Sequence, residues 1–352
     1  MQILAINPGS TSTKIAVFKN KDCLLKETIE HPSSEINTFS NVVDQYQYRL
    51  DVIITKLKDK EYKPEQFDAV VGRGGLLKPL IGGTYTVDKN LVEELKDPPG
   101  GEHASNLGGI LAYKLGQKVG IPAYIVDPVS VDEMDEVARI SGHPELPRVS
   151  LSHALNKKAV CRKAANSLNK NYNEVNFITA HMGSGITVGA HRQGKLIDVT
   201  NALNEGAFTP ERCGGLPIYQ LVKLCYSGKY TEKEMLTGII KRGGLYAYLG
   251  TKDVRKVEER INKGDKEAEL VLKAMCYQVA KEIGSMSTAL YGKVDRIILT
   301  GGLAYSKFVS DEIISHVSFI APIIVIPGEQ EMESLAMGAL RVLNGEEKAL
   351  TY

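Results

Sequence analysis

The sequence lacks long hydrophobic runs, a strong net charge and paired cysteines. No apolar window approaches the roughly 20 residues that span a bilayer, so we expect no membrane segment. The formal net charge of +1 over 352 residues gives no basic surface for nucleic acid or a membrane. The five cysteines lie scattered without CxxC spacing, which argues against disulfides and a zinc site. With no signal-peptide pattern at the N-terminus, these absences predict a cytoplasmic protein.

Several common catalytic motifs are missing as well. The sequence has no GxxxxGK[ST], no GxGxxG after a strand, no GxSxG and no HExxH, which excludes the protein classes that depend on them. What it does contain is 43% apolar and 24% charged residues, a composition typical of globular proteins. Its length predicts about two domains.

The two halves of the chain repeat one another. The repeated pairs are 3–16 with 177–190, 67–76 with 294–303 and, more weakly, 121–127 with 321–327. The first pair reads in both copies as a strand, a turn of small residues and a second strand. Strand–glycine turns are common by themselves, but three blocks in the same order predict a duplicated domain.

Helical patterns separate the repeated blocks. Apolar spacing predicts helices over 104–119, 152–169, 267–290 and 334–343, so strands alternate with helices in an α/β fold. We predict Thr251 as the N-cap of a further helix that ends near Asn262, with Asp253 in its first turn. The pattern breaks at 143–147, so we expect one domain over 1–148 plus 334–352 and another over 149–333.

Small residues follow three of the predicted buried strands, at Gly9-Ser10, Gly183-Ser184-Gly185 and Gly301-Gly302. Each could be a simple tight turn. Glycine also lets a ligand approach the backbone closely, and successive N–H groups bind anions. Ligands of open α/β sheets gather at the carboxyl ends of the strands. Together with the duplication, these loops indicate a site for the phosphates of a nucleotide.

These motifs resemble those of the acetokinase family, in the superfamily of acetate and sugar kinases, heat-shock chaperones and actin. The resemblance covers nearly the whole chain and rests on 7–14 (NPGSTSTK), 181–185 (HMGSG) and 208–212 (FTPER). Within the family, 71–75, 99–106 and 152–156 resemble the butyrate kinase branch most. The resemblance implies duplicated ribonuclease H-like, actin-like ATPase domains with an active-site cleft between them.

The reaction that the resemblance implies is reversible transfer of the ATP γ-phosphoryl group to butyrate, giving butanoyl phosphate and ADP. It also implies Mg²⁺ and a homodimer or higher homo-oligomer. Gly72 stands where acetate kinases carry valine, so we expect it to open the acyl pocket. Isobutyrate, isovalerate and acetate stay open as acceptors, because one methylene is worth only about 1–3 kcal/mol of discrimination. More distant alternatives are a sugar kinase and a nucleotide-switched binding protein of the actin type.

The resemblance implies catalytic roles for Arg212, Arg73, Asp127 and His153. Phosphoryl transfer needs positive charge on the transferring oxygens, and we expect Arg212 to supply it. The forked guanidinium of Arg73 suits a carboxylate, although acetate kinases carry this arginine at the position of Val70. Asp127 would face magnesium or a reacting oxygen, or simply form an Asp-Pro turn. His153 fits the family's histidine only after a shift of one residue, so a role at a helix start is equally open.

The remaining expected contacts are to metal and nucleotide. Asn7 and Glu333 match the family's magnesium positions, with Glu331 a near rival, and oxygen ligands suit this ion. Several of the phosphate and nucleotide residues given next have a simpler explanation: a plain turn, a solvent-facing lysine or a capped helix. The expected phosphate and nucleotide residues are Ser10, Ser12, Lys14, His181, Gly183, Ser184, Gly185, Asp253, Arg255, Gly301, Gly302, Leu303 and Ala304.

Overall fold

The structure is a computed structural model that describes all 352 residues. Its strands are β1 (Gln2–Pro8), β2 (Ser12–Lys19), β3 (Asp22–Glu30), β4 (Ala69–Arg73), β5 (Thr84–Thr86), β6 (Ala123–Val126), β7 (Asn176–Met182), β8 (Ile186–Arg192), β9 (Lys195–Val199), β10 (Arg296–Gly301) and β11 (Ile323–Pro327). They form two sheets.

Thirteen α-helices accompany the sheets, and none is long and apolar enough to cross a membrane. They are α1 (Ser33–Ile36), α2 (Tyr46–Asp59), α3 (Lys89–Lys96), α4 (Asn106–Val119), α5 (Glu136–Arg139), α6 (Ala154–Ser167), α7 (Ile218–Cys225), α8 (Glu232–Lys241), α9 (Gly244–Leu249), α10 (Val254–Asn262), α11 (Lys266–Ala289), α12 (Lys307–Val317) and α13 (Glu331–Leu343). Short 3₁₀-helices cover Val43–Gln45, Pro64–Gln66, Tyr172–Glu174 and Gly302–Tyr305.

Both sheets follow the same strand order. The first runs β3-β2-β1-β4-β6-β5 and the second β9-β8-β7-β10-β11. β1 lies antiparallel to β2 and parallel to β4, and β7 has the same relations to β8 and β10. The repeated sequence blocks therefore occupy equivalent strands, which confirms the predicted duplicated α/β fold.

The first compact unit comprises Met1–Asp132, Ala154–Asn156 and Gln330–Tyr352. Successive residues of β1 are buried on opposite faces of its sheet. Leu4 and Ile6 pack in one core with residues of α2, α3 and α4, whereas Ile3 and Ala5 pack with residues of α13. The continuous apolar run of β1 is typical of a strand with helices on both faces.

The second compact unit comprises Glu133–His153 and Lys157–Glu329. Ile178 and Ala180 of β7 face α11 in the larger core, and Phe177 faces α6 on the opposite side of the sheet. The predicted domain bounds stay a prediction. The compact units differ from those bounds at residues 133–148, 154–156 and 330–333.

The start of α10 corrects one prediction. Thr251 is not the N-cap, because the helix begins at Val254 and its N-cap is Asp253. The Asp253 carboxylate accepts a hydrogen bond from the Arg255 N–H at 3.1 Å. The Thr251 hydroxyl instead accepts one from the Asp253 N–H at 3.2 Å. The helix thus begins two residues later than predicted, and Asp253 serves as its cap and not as part of its first turn.

Residues 153 and 157, at the start of α6, lie over Thr187 and Gly189, which are on the same face of β8. His153, the residue before the helix, places Nδ1 3.1 Å from Thr187 Oγ1. One turn later, Lys157 Nζ lies 3.1 Å from where a Cβ on Gly189 would be. Lys157 is fully buried, and its Nζ has no hydrogen-bond partner. Burial lowers the pKa of Lys157 to about 7, against a small opposing effect of Cys161.

We predict that Lys157→Met stabilises the protein at pH 7. The unfolded lysine holds its proton up to about pH 10.4, whereas the folded one loses it near pH 7. Wild-type stability therefore rises with pH across that window. The gain from Lys157→Met should be on the order of 4 kcal/mol below pH 7 and should shrink towards pH 10. Urea unfolding at several pH values measures it.

The matched control is Lys158→Met on the same helix. Lys158 is also buried but pairs with Glu133 at 2.9 Å, so its removal takes a positive charge away from a buried carboxylate and should destabilise the protein. A Lys157→Met variant that loses stability equally at pH 7 and pH 10 would contradict the prediction.

Candidate functional site

The β1–β2 hairpin of the first unit carries the opening motif. The Gly9 N–H donates to the Ser12 carbonyl at 2.7 Å and closes the turn. Ser10 is exposed and Ser12 is half-buried, while Lys14 is exposed on β2 opposite Asn7. The structure therefore brings these four candidate residues together on one hairpin. Beneath it lies a buried arginine, Arg49, which sequence reasoning missed.

A cluster of polar side chains gathers at the ends of β1 and β4 in the first unit. Glu331 Oε1 lies 2.6 Å from Arg73 Nη1, and Glu331 Oε2 accepts a hydrogen bond from Asn7 Nδ2 at 2.6 Å. Of the two rival acids, the structure thus places Glu331 beside Asn7, while Glu333 is exposed on the first turn of α13.

His103 belongs to the same neighbourhood and was not singled out from the sequence. Its Nδ1 lies 2.7 Å from Ser105 Oγ. Burial is the main cause that lowers the pKa of His103, and the positive charge of Arg73 adds to it.

Gly72 lies where β4 crosses α4 closely, and its expected role in opening an acyl pocket stays a prediction. A Cβ at this position would lie 1.9 Å from the Gly108 carbonyl oxygen of α4, and one on Gly108 would lie 2.3 Å from the Arg73 carbonyl oxygen. The missing side chain is therefore replaced by the backbone of α4. This close crossing of β4 and α4 positions Arg73 at the strand end.

Asp127 follows β6 in a left-handed conformation with φ of 38°, which is unusual for a residue other than glycine. Its side chain is 1% exposed, and Oδ1 accepts a hydrogen bond from the Gly83 N–H at 2.8 Å. Strained backbone of this kind clusters at functional sites. The catalytic role of Asp127 stays a prediction.

The β7–β8 hairpin of the second unit carries the other small-residue loop. The Gly183 N–H donates to the Gly185 carbonyl at 2.9 Å. Below the loop, the rings of His153 and His181 stack with centroids 3.8 Å apart, and His181 Nε2 lies 3.3 Å from Glu329 Oε1. Both predicted histidines thus support one loop.

Arg212 lies against this loop. Its Nη1 would be 2.9 Å from a Cβ on Gly185, so the guanidinium packs directly against this glycine. Nη1 donates to the Ala202 carbonyl at 2.8 Å, whereas Nε is buried without a hydrogen-bond partner. Burial lowers the pKa of Arg212, partly offset by Glu211. The guanidinium keeps donor capacity that the protein does not use.

Thr209 joins the loop to the arginine segment and was missed by the sequence analysis. Its hydroxyl donates to the Ser184 carbonyl at 2.7 Å and accepts from the Arg212 N–H at 3.0 Å. One buried side chain therefore fixes the loop and Arg212 relative to each other.

A cavity of about 880 Å³ opens beside the loop in the second unit, within the size range of small-molecule sites. Arg255 and Asp253 on its rim form a two-pronged ion pair. The lining residues are Gly183, Ser184, Pro210, Glu211, Lys252, Asp253, Val254, Arg255, Glu258, Gly302, Leu303, Tyr305, Ser306 and Glu329. Six predicted nucleotide residues are among them.

Some residues at the end of β10 and just after it line the cavity, and others are buried in the core. Gly301 has φ of 88°, and a Cβ there would lie 2.4 Å from the Met182 carbonyl oxygen, so this glycine allows close backbone packing. Gly302 and Leu303 line the cavity, whereas Ala304 is buried. A contact of Gly301 or Ala304 with nucleotide stays a prediction.

Comparison with known proteins identifies the relatives of this chain. The acetokinase family model matches residues 150–336. Butyrate kinase 2 of Clostridium acetobutylicum is 54% identical over 352 residues, which are 100% of this chain and 99% of that protein. The acetate kinase structure of Porphyromonas gingivalis has a TM-score of 0.81 at 20% identity, covering 97% of this chain and 99% of that one. A propionate kinase structure from Francisella tularensis has a TM-score of 0.73 at 20% identity, covering 96% of this chain and 98% of that one. The two structures support the fold.

We predict that Gly72→Ala destabilises the protein and does not change which carboxylate substrate it prefers. The added methyl group meets the Gly108 carbonyl of α4, and overpacking of this kind costs about 1–3 kcal/mol or more. Urea unfolding measures the loss. Gly284→Ala is the matched control, because a Cβ on this helical glycine meets nothing within 4 Å and should stabilise α11 slightly. A Gly72→Ala variant with wild-type stability and a preference for acetate would restore the acyl-pocket interpretation.

Proposed function

Because the chain belongs to the acetokinase family, we propose that it is a butyrate kinase, which transfers the γ-phosphoryl group of ATP reversibly to butyrate. The observation that carries this proposal is Arg212, whose guanidinium lies against the Gly183–Gly185 loop with a buried, unpartnered Nε. An arginine held in this way suits the oxygens of a transferring phosphoryl group. The 54% identical relative that bears the name butyrate kinase 2 supports butyrate as the acceptor.

The first unit supplies the groups for the carboxylate. Arg73 is one-quarter exposed at the end of β4, and its Nη1 lies 2.6 Å from Glu331 Oε1. A guanidinium has five N–H donors in a planar fork, so further donors are available to the two oxygens of butyrate. Glu331 fixes the orientation of the fork before substrate binds, which reduces the entropy cost of positioning.

The second unit supplies the groups for the nucleotide. The 880 Å³ cavity accommodates the nucleoside, and Gly183 and Ser184 of the loop line its wall, where the phosphates would lie. Positive charge from Arg212 then stabilises the charge that spreads over the equatorial oxygens during transfer.

The oxygen atoms of Asn7 and Glu331 fit Mg²⁺, which prefers oxygen ligands and keeps several waters. Nowhere in the structure do three or more His, Cys, Asp or Glu side chains gather into a metal site, so phosphate oxygens and water would complete the coordination. Bound with ATP, the ion neutralises phosphate charge. We propose Glu331 rather than Glu333 for this role because it adjoins Asn7. A Glu331→Gln variant with an unchanged Mg²⁺ requirement would contradict it.

The test is hydroxamate trapping of acyl phosphate with the purified protein, ATP and Mg²⁺. We expect a higher kcat/KM for butyrate than for acetate, and isobutyrate and isovalerate are assayed in parallel. Turnover of acetate above butyrate would contradict the butyrate assignment. Turnover of a sugar, with no carboxylate phosphorylated, would contradict the proposed function altogether.

The same assay separates the two arginines. Arg212→Ala should lower kcat about 10³-fold while the KM for butyrate stays close to wild type. Arg73→Lys should raise the KM for butyrate at least tenfold, because lysine lacks the fork. Arg192→Ala is the control, since Arg192 pairs with Asp135 at the end of β8 opposite to the loop. An Arg212→Ala variant within threefold of wild-type kcat would overturn its role.

We also propose a homodimer or higher homo-oligomer in the cytoplasm. Helix α7 is apolar yet has no buried residue. Ile218 is 75% exposed, Tyr219 67% and Tyr226 89%. Contiguous exposed apolar surface marks protein interfaces. Sedimentation equilibrium should show an oligomer that Val222→Glu weakens. A wild-type monomer at micromolar concentration would sink this part of the proposal.

A further inference from the structure

Arg49 is the most heavily hydrogen-bonded buried cation of the first unit. It lies on α2 with 0% exposure. The guanidinium donates to the Gly9 carbonyl at 2.9 Å and the Ser12 carbonyl at 3.1 Å through Nη1, and to the Ser10 carbonyl at 3.0 Å through Nη2. Three carbonyl groups of one hairpin turn therefore converge on a single side chain.

The remaining donors of Arg49 are also satisfied. Nη1 donates to Thr13 Oγ1 at 3.0 Å, and both Nε and Nη2 donate to Gln45 Oε1, at 3.1 and 2.8 Å. All of these acceptors are neutral. Burial lowers the pKa of Arg49 to about 10, so the side chain stays charged at neutral pH. Positive charge thus lies directly beneath the turn and is compensated only by dipoles.

The direction of the carbonyl groups fixes the direction of the neighbouring N–H groups. All peptide bonds in the structure are trans, and in a trans peptide the C=O and the following N–H point in opposite directions. The carbonyls of Gly9 and Ser10 point at Arg49, so the N–H groups of Ser10 and Thr11 point away from it. Because Ser10 and Thr11 are exposed, we infer that these donors face the open side of the hairpin.

We propose that Arg49 is a positioning residue that holds the Gly9–Thr13 turn as a binding site for a phosphoryl oxyanion. The inference rests on the proposed function for the identity of the anion. Arg49 acts through the turn: its fork draws three carbonyls inward, and its charge favours an anion on the outer side. The second unit supports its loop by Thr209 and Arg212 instead, so the feature is specific to the first hairpin.

The test compares wild type with Arg49→Lys in the full chain. Lysine keeps the charge but cannot bridge three carbonyls. Because a misplacement of about 1 Å can cost 10²-fold in rate, we expect kcat to fall about 10²-fold, with the KM for butyrate within twofold of wild type. Hydrogen exchange of the Gly9 and His31 amides should accelerate at least tenfold, since they bond to Ser12 and Thr11 of the turn.

Two controls separate positioning from general destabilisation. The Gly183 amide, which closes the loop of the second unit, should exchange at the wild-type rate in Arg49→Lys. Arg260→Lys also removes an arginine that bonds a backbone carbonyl, that of Leu249, and should leave kcat and the Gly9 exchange unchanged. Uniformly faster exchange in both loops of Arg49→Lys, or a kcat within threefold of wild type, would overturn the proposal.

Gln45→Met decides the question if Arg49→Lys does not fold. This variant removes the acceptor shared by Nε and Nη2 and leaves the arginine in place, so kcat should fall three- to tenfold and Gly9 exchange should rise. An unchanged kcat and exchange would overturn the proposal. Wild-type protein that forms no acyl phosphate would refute the proposed function. The hydrogen-exchange measurements would still test whether Arg49 holds the turn.

Discussion

The carboxylate of Glu331 is the constraint on which the first unit depends. Its two oxygens engage the side chains of Arg73 and Asn7, so the ends of β4 and β1 are tied to the first residue of α13. An acid at a helix start is also favoured by the helix dipole. The same helix covers the face of the sheet formed by Ile3 and Ala5. One ion pair therefore links the arrangement of the candidate carboxylate site to the packing of the C-terminal helix.

Duplication accounts for the sheets but not for the support of their loops. β1, β2 and β4 repeat as β7, β8 and β10 with the same pairing. The first hairpin is held from below by the guanidinium of Arg49, and the second by the hydroxyl of Thr209. A hydroxyl leaves the second loop without added charge, and that charge comes instead from Arg212. Two copies of one backbone have thus acquired different electrostatics, which suits a reaction with two different anions.

The sequence predicted the features that are local in the chain. The strand–turn–strand blocks, the alternation of helices and the glycine loops follow from residues within a few positions of one another, and all appear in the fold. Contacts over long separations did not follow from local patterns. The family resemblance alone suggested that Asn7 lies near Glu333 or its rival Glu331, 324 positions away, and the contact of Arg49 with Gly9 across 40 positions was missed. Arg49 had one local signal, since it precedes Leu50 and Ile53 on the buried face of α2. A buried cation requires hydrogen-bond acceptors or a counter-charge.

Gly72 shows why a residue difference between branches is weak evidence for a pocket. The loss of a side chain creates space only if nothing else moves in, and here the backbone of α4 fills it. Because Gly108 and Gly72 permit this crossing together, neither can be interpreted alone. The crossing brings α4 against the end of β4 and so fixes where Arg73 emerges. Gly72 therefore helps to determine the position of Arg73, the residue proposed to bind the carboxylate of the substrate.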